Sequence, residues 1–68
     1  MQREIATCLA ADELGLAAES GEAMLRHLNA AVDHLQGHER NAAVLIRVDL
    51  TEALRRLRPL RIFVGDNA

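Results

Sequence analysis

Two runs of apolar residues with the three-and-four spacing of an α-helix constrain the fold of this chain more than any other feature. They lie in residues 20–36 and 42–58, and five residues separate them. This spacing places apolar side chains along one side of each helix. A short connection between two such helices predicts an antiparallel hairpin. The two apolar seams consist of Leu25, Leu28, Val32 and Leu35, and of Ala43, Ile46, Leu50, Ala53 and Leu57.

The residues that flank these runs predict where the helices begin and end. Ser20 and Asn41 can cap the N-termini, because their side chains accept hydrogen bonds from free backbone N–H groups. Gly37 is expected to close the first helix of the hairpin, and Pro59 to stop the second.

A shorter helix is expected before the hairpin, over residues 2–14, with Gly15 at its end. The expected architecture is therefore all-α. A single helical domain covers residues 1–68, with a non-helical C-terminal tail at 59–68.

An alternative interpretation of the second run stays open. Residues 44–48 are rich in β-branched side chains and could form a strand, with residues 61–64 as a second strand. The segment between them is short for a crossover between parallel strands, which needs a dozen or more residues. The helical interpretation is therefore preferred.

The helix expected over 42–58 is apolar on more than one side. Val44, Leu45 and Val48 lie away from its seam. A helix with two apolar sides must be covered on both. Either the N-terminal helix or a second copy of the chain could provide the cover, and we expect a homodimer that forms a helical bundle.

Size leads to the same expectation. A domain below about 70–80 residues rarely obtains more than ~3–5 kcal/mol from its core, and usually adds disulfides, a metal or oligomerisation. Cys8 is the only cysteine of the 68 residues, so no disulfide can form within the chain. An unpaired cysteine and the lack of an export signal favour a cytoplasmic location, and no apolar run is long enough to span a membrane.

Charge is distributed unevenly along the chain. Residues 1–39 hold seven acidic residues and two arginines, a net charge of −5, whereas residues 40–68 hold six arginines and three acidic residues, a net charge of +3. The two halves could face each other within one chain or across a dimer. Four of the arginines form a cluster that could contact a partner, namely Arg55, Arg56, Arg58 and Arg61.

Residues 9–16 resemble the first helix and turn of a helix-turn-helix motif. Ala11 and Gly15 occupy the spacing of its small residue and its turn glycine. The resemblance implies a DNA-binding transcriptional regulator as an alternative function. The sequence departs from the motif at Gly21, where an apolar residue is expected, and residues 17–22 are acidic.

No arrangement of residues typical of catalysis is present. The sequence shows no Ser-His-Asp set, glycine-rich phosphate loop or carboxylate pair, so we expect no enzyme and no cofactor. His27, His34 and His38 lie at i, i+7 and i+11. They could bind a metal or make an interface sensitive to pH, but we assign no metal ligand.

These features together predict a small cytoplasmic protein-interaction module. It would bind itself and a larger protein, acting as a regulator, inhibitor, adaptor or chaperone. Phe63 in the tail either packs back on the hairpin or offers an extended edge to the partner. The residues expected to bind partners are Val44, Leu45, Val48, Arg55, Arg56, Arg58, Arg61 and Phe63.

Overall fold

The chain folds into two long helices joined by a four-residue connection. The computed structural model describes the backbone of residues 2–66 and the side chains of residues 6–66. Helix α1 spans Gln2–Val32 and helix α2 spans Gly37–Asp66. They pack antiparallel as a rod of 53 × 15 × 13 Å. The all-α helical hairpin is thus confirmed. The strand interpretation of 44–48 and 61–64 is wrong, because both segments are helical.

Helix α1 is continuous where the sequence predicts a break. The expected end at Gly15 and the expected start at Ser20 are both wrong. A glycine inside a helix costs about 0.5–1 kcal/mol relative to alanine. Gly15 lies close to α2: a Cβ atom added to it would be 3.7 Å from Nη2 of Arg61. Packing between the helices offsets the local preference of glycine for a helix end.

Helix α2 is longer than expected at both ends. It begins at Gly37 rather than after Asn41, and it continues through Pro59, so the predicted non-helical tail is wrong over residues 59–66. A proline in a helix interior costs about 3 kcal/mol. Pro59 is exposed, whereas Val64 beyond it is half-buried in the hairpin. Burial of this last part of α2 against α1 favours the helix despite the proline.

The connection between the helices depends on a left-handed glycine. Gly37 has a φ of 61° and is the first residue of α2 instead of closing α1. In the preceding turn, the N–H of His34 donates to the carbonyl of Ala31 at 2.9 Å. Only glycine adopts this φ without a steric cost, so residue 37 fixes the place where the chain reverses.

The two helices contact each other through residues spaced alternately by three and four. This spacing is typical of antiparallel coiled-coil packing. Leu25, Leu28 and Val32 of the predicted first seam lie on the contact face, and Leu35 is half-buried in the connection. The contact face includes Ala11, Leu14, Ala18, Gly21, Leu25, Leu28 and Val32 of α1, and Ala43, Arg47, Leu50, Leu54, Leu57 and Val64 of α2.

The second predicted seam is wrong at two of its five positions. Ile46 and Ala53 are exposed, and their neighbours Arg47 and Leu54 take the places against α1. Helix α2 is thus turned about its axis relative to the predicted seam, and the absence of a side chain at Gly21 explains this turn. A Cβ atom there would lie 2.6 Å from Cδ2 of Leu54, so the glycine makes room for the leucine.

The core of the hairpin is thin. Among the described side chains, the buried apolar residues are Ala18, Val32 and Ala43, all of them small. The leucines of the contact face are only half-buried, since two helices cannot enclose a side chain on all sides. Large apolar surface is therefore left exposed.

Candidate interaction surfaces

The apolar residues predicted to bind a partner lie on α2. Leu45, Val48 and Phe63 are 65%, 56% and 67% exposed, and Val44 is half-buried. Helix α1 leaves Leu45, Val48 and Phe63 more than half exposed. Phe63 belongs to a helix, so an extended edge for strand addition does not exist at this position.

These residues form a stripe along the helix rather than a compact patch. Leu45 and Phe63 are 18 residues apart, which is five helical turns, so they point in the same direction about 27 Å apart. Val48, Glu52, Arg55 and Arg56 lie between them, and the first three also border a groove beside Leu25 and Asn29 of α1. We call these six residues the outer stripe: Leu45, Val48, Glu52, Arg55, Arg56 and Phe63.

The charged part of the outer stripe is held by one carboxylate. Glu52 contacts Nη1 of Arg55 at 3.5 Å and Nε of Arg56 at 3.4 Å. Both arginine side chains remain about four-fifths exposed. Exposed ion pairs of this kind contribute only about 0–1 kcal/mol, so the two guanidinium groups can be drawn to an acidic partner at little cost.

The other two arginines of the predicted cluster belong to a different surface. Arg58 and Arg61 line a groove between the helices, together with Arg55, Ala18, Glu22 and Leu54. The structure therefore spreads the cluster over two surfaces that meet at Arg55. Arg55 and Arg56 lie on the outer stripe, while Arg58 and Arg61 lie beside the acidic helix α1.

The expectation that the acidic and basic halves face each other within one chain agrees with this arrangement. Arg47 donates a hydrogen bond to Oδ1 of Asn29 across the helices at 3.2 Å. Among the side chains of residues 6–66, however, no ion pair within 4 Å joins α1 to α2. The opposite net charges of α1 and α2 attract each other at longer range rather than through paired side chains.

The geometry required by the helix-turn-helix resemblance is missing. Residues 9–22 lie within the single helix α1, with no turn at Gly15 and no separate second helix. The acidic residues of this segment remain on a straight rod. A recognition helix that stands at an angle to its neighbour cannot form from them.

One apolar surface escaped the sequence analysis. Taking positions in steps of seven along each helix identifies a side of the hairpin whose described side chains are uncharged apart from Glu39, opposite the side where Arg47 meets Asn29. Met24, Ile46 and Leu60 on this side are about half exposed. We call it the apolar flank; it consists of Ala10, Leu14, Ala17, Met24 and Leu28 of α1, and Ile46, Ala53, Leu57, Leu60 and Val64 of α2.

The three histidines do not form a site. His27 lies in α1, His34 in the connection and His38 in the first turn of α2. Within the part of the chain that the structure describes, no three His, Cys, Asp or Glu residues are placed to hold a metal ion. Neither helix, over the same residues, is long and apolar enough to cross a membrane.

Comparison with known proteins gives no relative from which a function could be carried over. No protein-family model, no curated protein and no solved structure matches the chain.

Proposed function

We propose that the chain is a small cytoplasmic protein-interaction module that binds a larger protein through the outer stripe of α2 and thereby regulates, inhibits or chaperones it. The observation that carries the proposal is the exposure of Leu45, Val48 and Phe63 along one helix, α2. Large apolar side chains aligned on one helix face are typical of helices that dock into the groove of a partner.

Burial of this stripe supplies binding energy at its two ends. Full burial of a large apolar side chain stabilises by about 1.5–3 kcal/mol. Leu45, Val48 and Phe63 are all more than half exposed, so each can contribute roughly 1–2 kcal/mol on docking. Phe63 is the aromatic anchor of the set, a residue type suited to an energetic hot spot.

The charges between the two apolar ends select the partner. Arg55 and Arg56 share one carboxylate, so this part of the stripe is net positive. A partner groove with two apolar pockets about 27 Å apart and acidic residues between them is complementary to it. Charge complementarity of this kind orients the partner and accelerates the encounter.

Site-specific photo-cross-linking in the native host tests the proposal. A photoreactive residue at position 45 or 63 is expected to capture the same protein, which must be larger than this chain. The matched control is position 16 on α1, because Leu16 is similarly exposed at 56% but lies outside the stripe. Equal capture from position 16, or no capture from positions 45 and 63, would contradict the proposal.

Once the partner is identified, a single charged substitution provides the second test. Leu45→Glu places a carboxylate where the complex is expected to be dry, and should weaken the affinity for the partner by tenfold or more, corresponding to about 1.4 kcal/mol. Leu16→Glu should leave the affinity unchanged. Titration calorimetry measures both values.

A further inference from the structure

The apolar flank is a second surface, distinct from the outer stripe. None of its ten residues carries a charge, and its large side chains Met24, Ile46 and Leu60 are about half open to solvent. The opposite side of the hairpin differs in composition at the equivalent steps of seven. It holds Gly15, Glu22 and Asn29 on α1 and Arg40, Arg47, Leu54 and Arg61 on α2. The hairpin therefore has one largely apolar side and one side that is richer in charge.

The exposed area of the chain exceeds that of a compact protein of the same mass. A folded monomer of 7.5 kDa is expected to expose about 4,200 Å². The hairpin exposes 5566 Å², an excess of about 1,300 Å² over that expectation. Stable homodimers bury about 1,000–2,500 Å² on each partner. The excess area is thus of the size that one dimer interface would remove.

We propose that a second copy of the chain covers the apolar flank, so that two hairpins pack face to face as a four-helix bundle. Leu14, Leu28 and Leu57 are half-buried in the single hairpin and become enclosed in the bundle. The small side chains of Ala17 and Ala53 allow the facing helices to approach, and Met24 and Leu60 fill the remaining space.

The charges of the helices decide between two arrangements of the copies. Counted from the sequence, α1 has five acidic residues and two arginines, a net charge of −3, and α2 has six arginines and four acidic residues, a net charge of +2. A two-fold axis along the rod places each α1 beside the α2 of the other copy. A two-fold axis across the rod places α1 beside α1 and α2 beside α2. Attraction between the unlike helices favours the first arrangement, in which both connections lie at the same end.

This arrangement fixes which residues face each other. Within one hairpin, Asn29 contacts Arg47, and Gly21 lies against Leu54, so facing positions have residue numbers that add to 75 or 76. A two-fold axis along the rod leaves every residue at its own height. Ala17 of one copy therefore lies within about half a turn of the height of Leu60 in the other.

Sedimentation equilibrium of the full chain tests whether the dimer exists. The expected mass is twice 7.5 kDa, and Ile46→Glu on the apolar flank should raise the dissociation constant by roughly a hundredfold or more, because it would bury unpaired carboxylates. Val48→Glu is the matched control, two residues away on the outer stripe, and should leave the mass unchanged. A single-chain mass for the natural sequence at every concentration overturns the proposal, and so does dissociation by Val48→Glu alone.

Cysteine cross-linking tests the arrangement without depending on a destabilising variant. In a Cys8→Ser background, chains with Ala17→Cys are mixed with chains carrying Leu60→Cys and treated with a short bismaleimide. Cross-links between unlike chains are expected. Adducts of Ala17→Cys chains with themselves, or no adducts at all, contradict the arrangement. Because the apolar flank shares no residue with the outer stripe, failure here leaves the partner-binding proposal standing, and failure of partner capture leaves the dimer standing.

Discussion

At the scale of single residues, two glycines of α1 have different effects on the packing of the hairpin. A methyl group at Gly15 would make an ordinary contact with Arg61 at 3.7 Å, whereas one at Gly21 would lie 2.6 Å from Leu54. The first position has room for a side chain. The second is occupied by the tip of a leucine, which would have to move.

Alanine substitutions should separate the two sites. Gly15→Ala is expected to raise the free energy of unfolding by about 0.5–1 kcal/mol, because alanine is the better helix former. Gly21→Ala gains the same helix propensity but crowds Leu54, so its stability should be lower than that of Gly15→Ala by about 1 kcal/mol. Urea unfolding at one fixed protein concentration measures both. Equal gains would show that Leu54 does not pack at Gly21.

The same residues explain why the sequence identifies the helix but not its orientation. The side of α2 that faces α1 could contain Ile46 and Ala53 or their neighbours Arg47 and Leu54. Both of these sides of α2 carry apolar residues. Periodicity alone predicts that Ile46, rather than Arg47, lies on the contact face. The structure prefers Arg47, because its stem packs against α1 while its guanidinium reaches Asn29. The orientation of α2 depends on its contacts with α1, and the sequence pattern of α2 alone carries no information about them.

At the scale of the helices, the second half of α1 and the central part of α2 are predictable, and their ends are not. Leu25, Leu28 and Val32 are found on the contact face as expected, because a strict spacing of three and four has one helical interpretation. Gly15 and Pro59 are read from sequence as helix ends, since that is their commonest role. Contacts between the helices at Arg61 and Val64 reverse both predictions.

Replacing the proline tests whether α2 runs to its end. Pro59→Ala restores a backbone N–H that can donate to the carbonyl four residues earlier, and removes the clash of the ring with that carbonyl. The variant should be more stable by about 1–3 kcal/mol, measured by thermal unfolding followed by circular dichroism. If residues 59–66 were a tail without helical structure, the substitution would leave the unfolding temperature unchanged.

At the scale of the whole molecule, stability should depend on protein concentration. A thin core of small residues leaves a lone hairpin only marginally stable. A second copy that covers the apolar flank adds buried apolar area. Because folding and association are then linked, a tenfold increase in protein concentration should raise the unfolding temperature by roughly 5 °C. Calorimetry over a hundredfold range of concentration measures this, and a constant temperature would indicate a monomer that is stable alone.

X-ray scattering in solution tests the central claim most directly, because it measures mass and length together. Two hairpins packed side by side should give a forward scattering that corresponds to twice 7.5 kDa, with a maximum dimension only slightly above the 53 Å of one hairpin. The mass of one chain with the same length would contradict the covered apolar flank. The mass of two chains with about double the length would contradict the face-to-face arrangement.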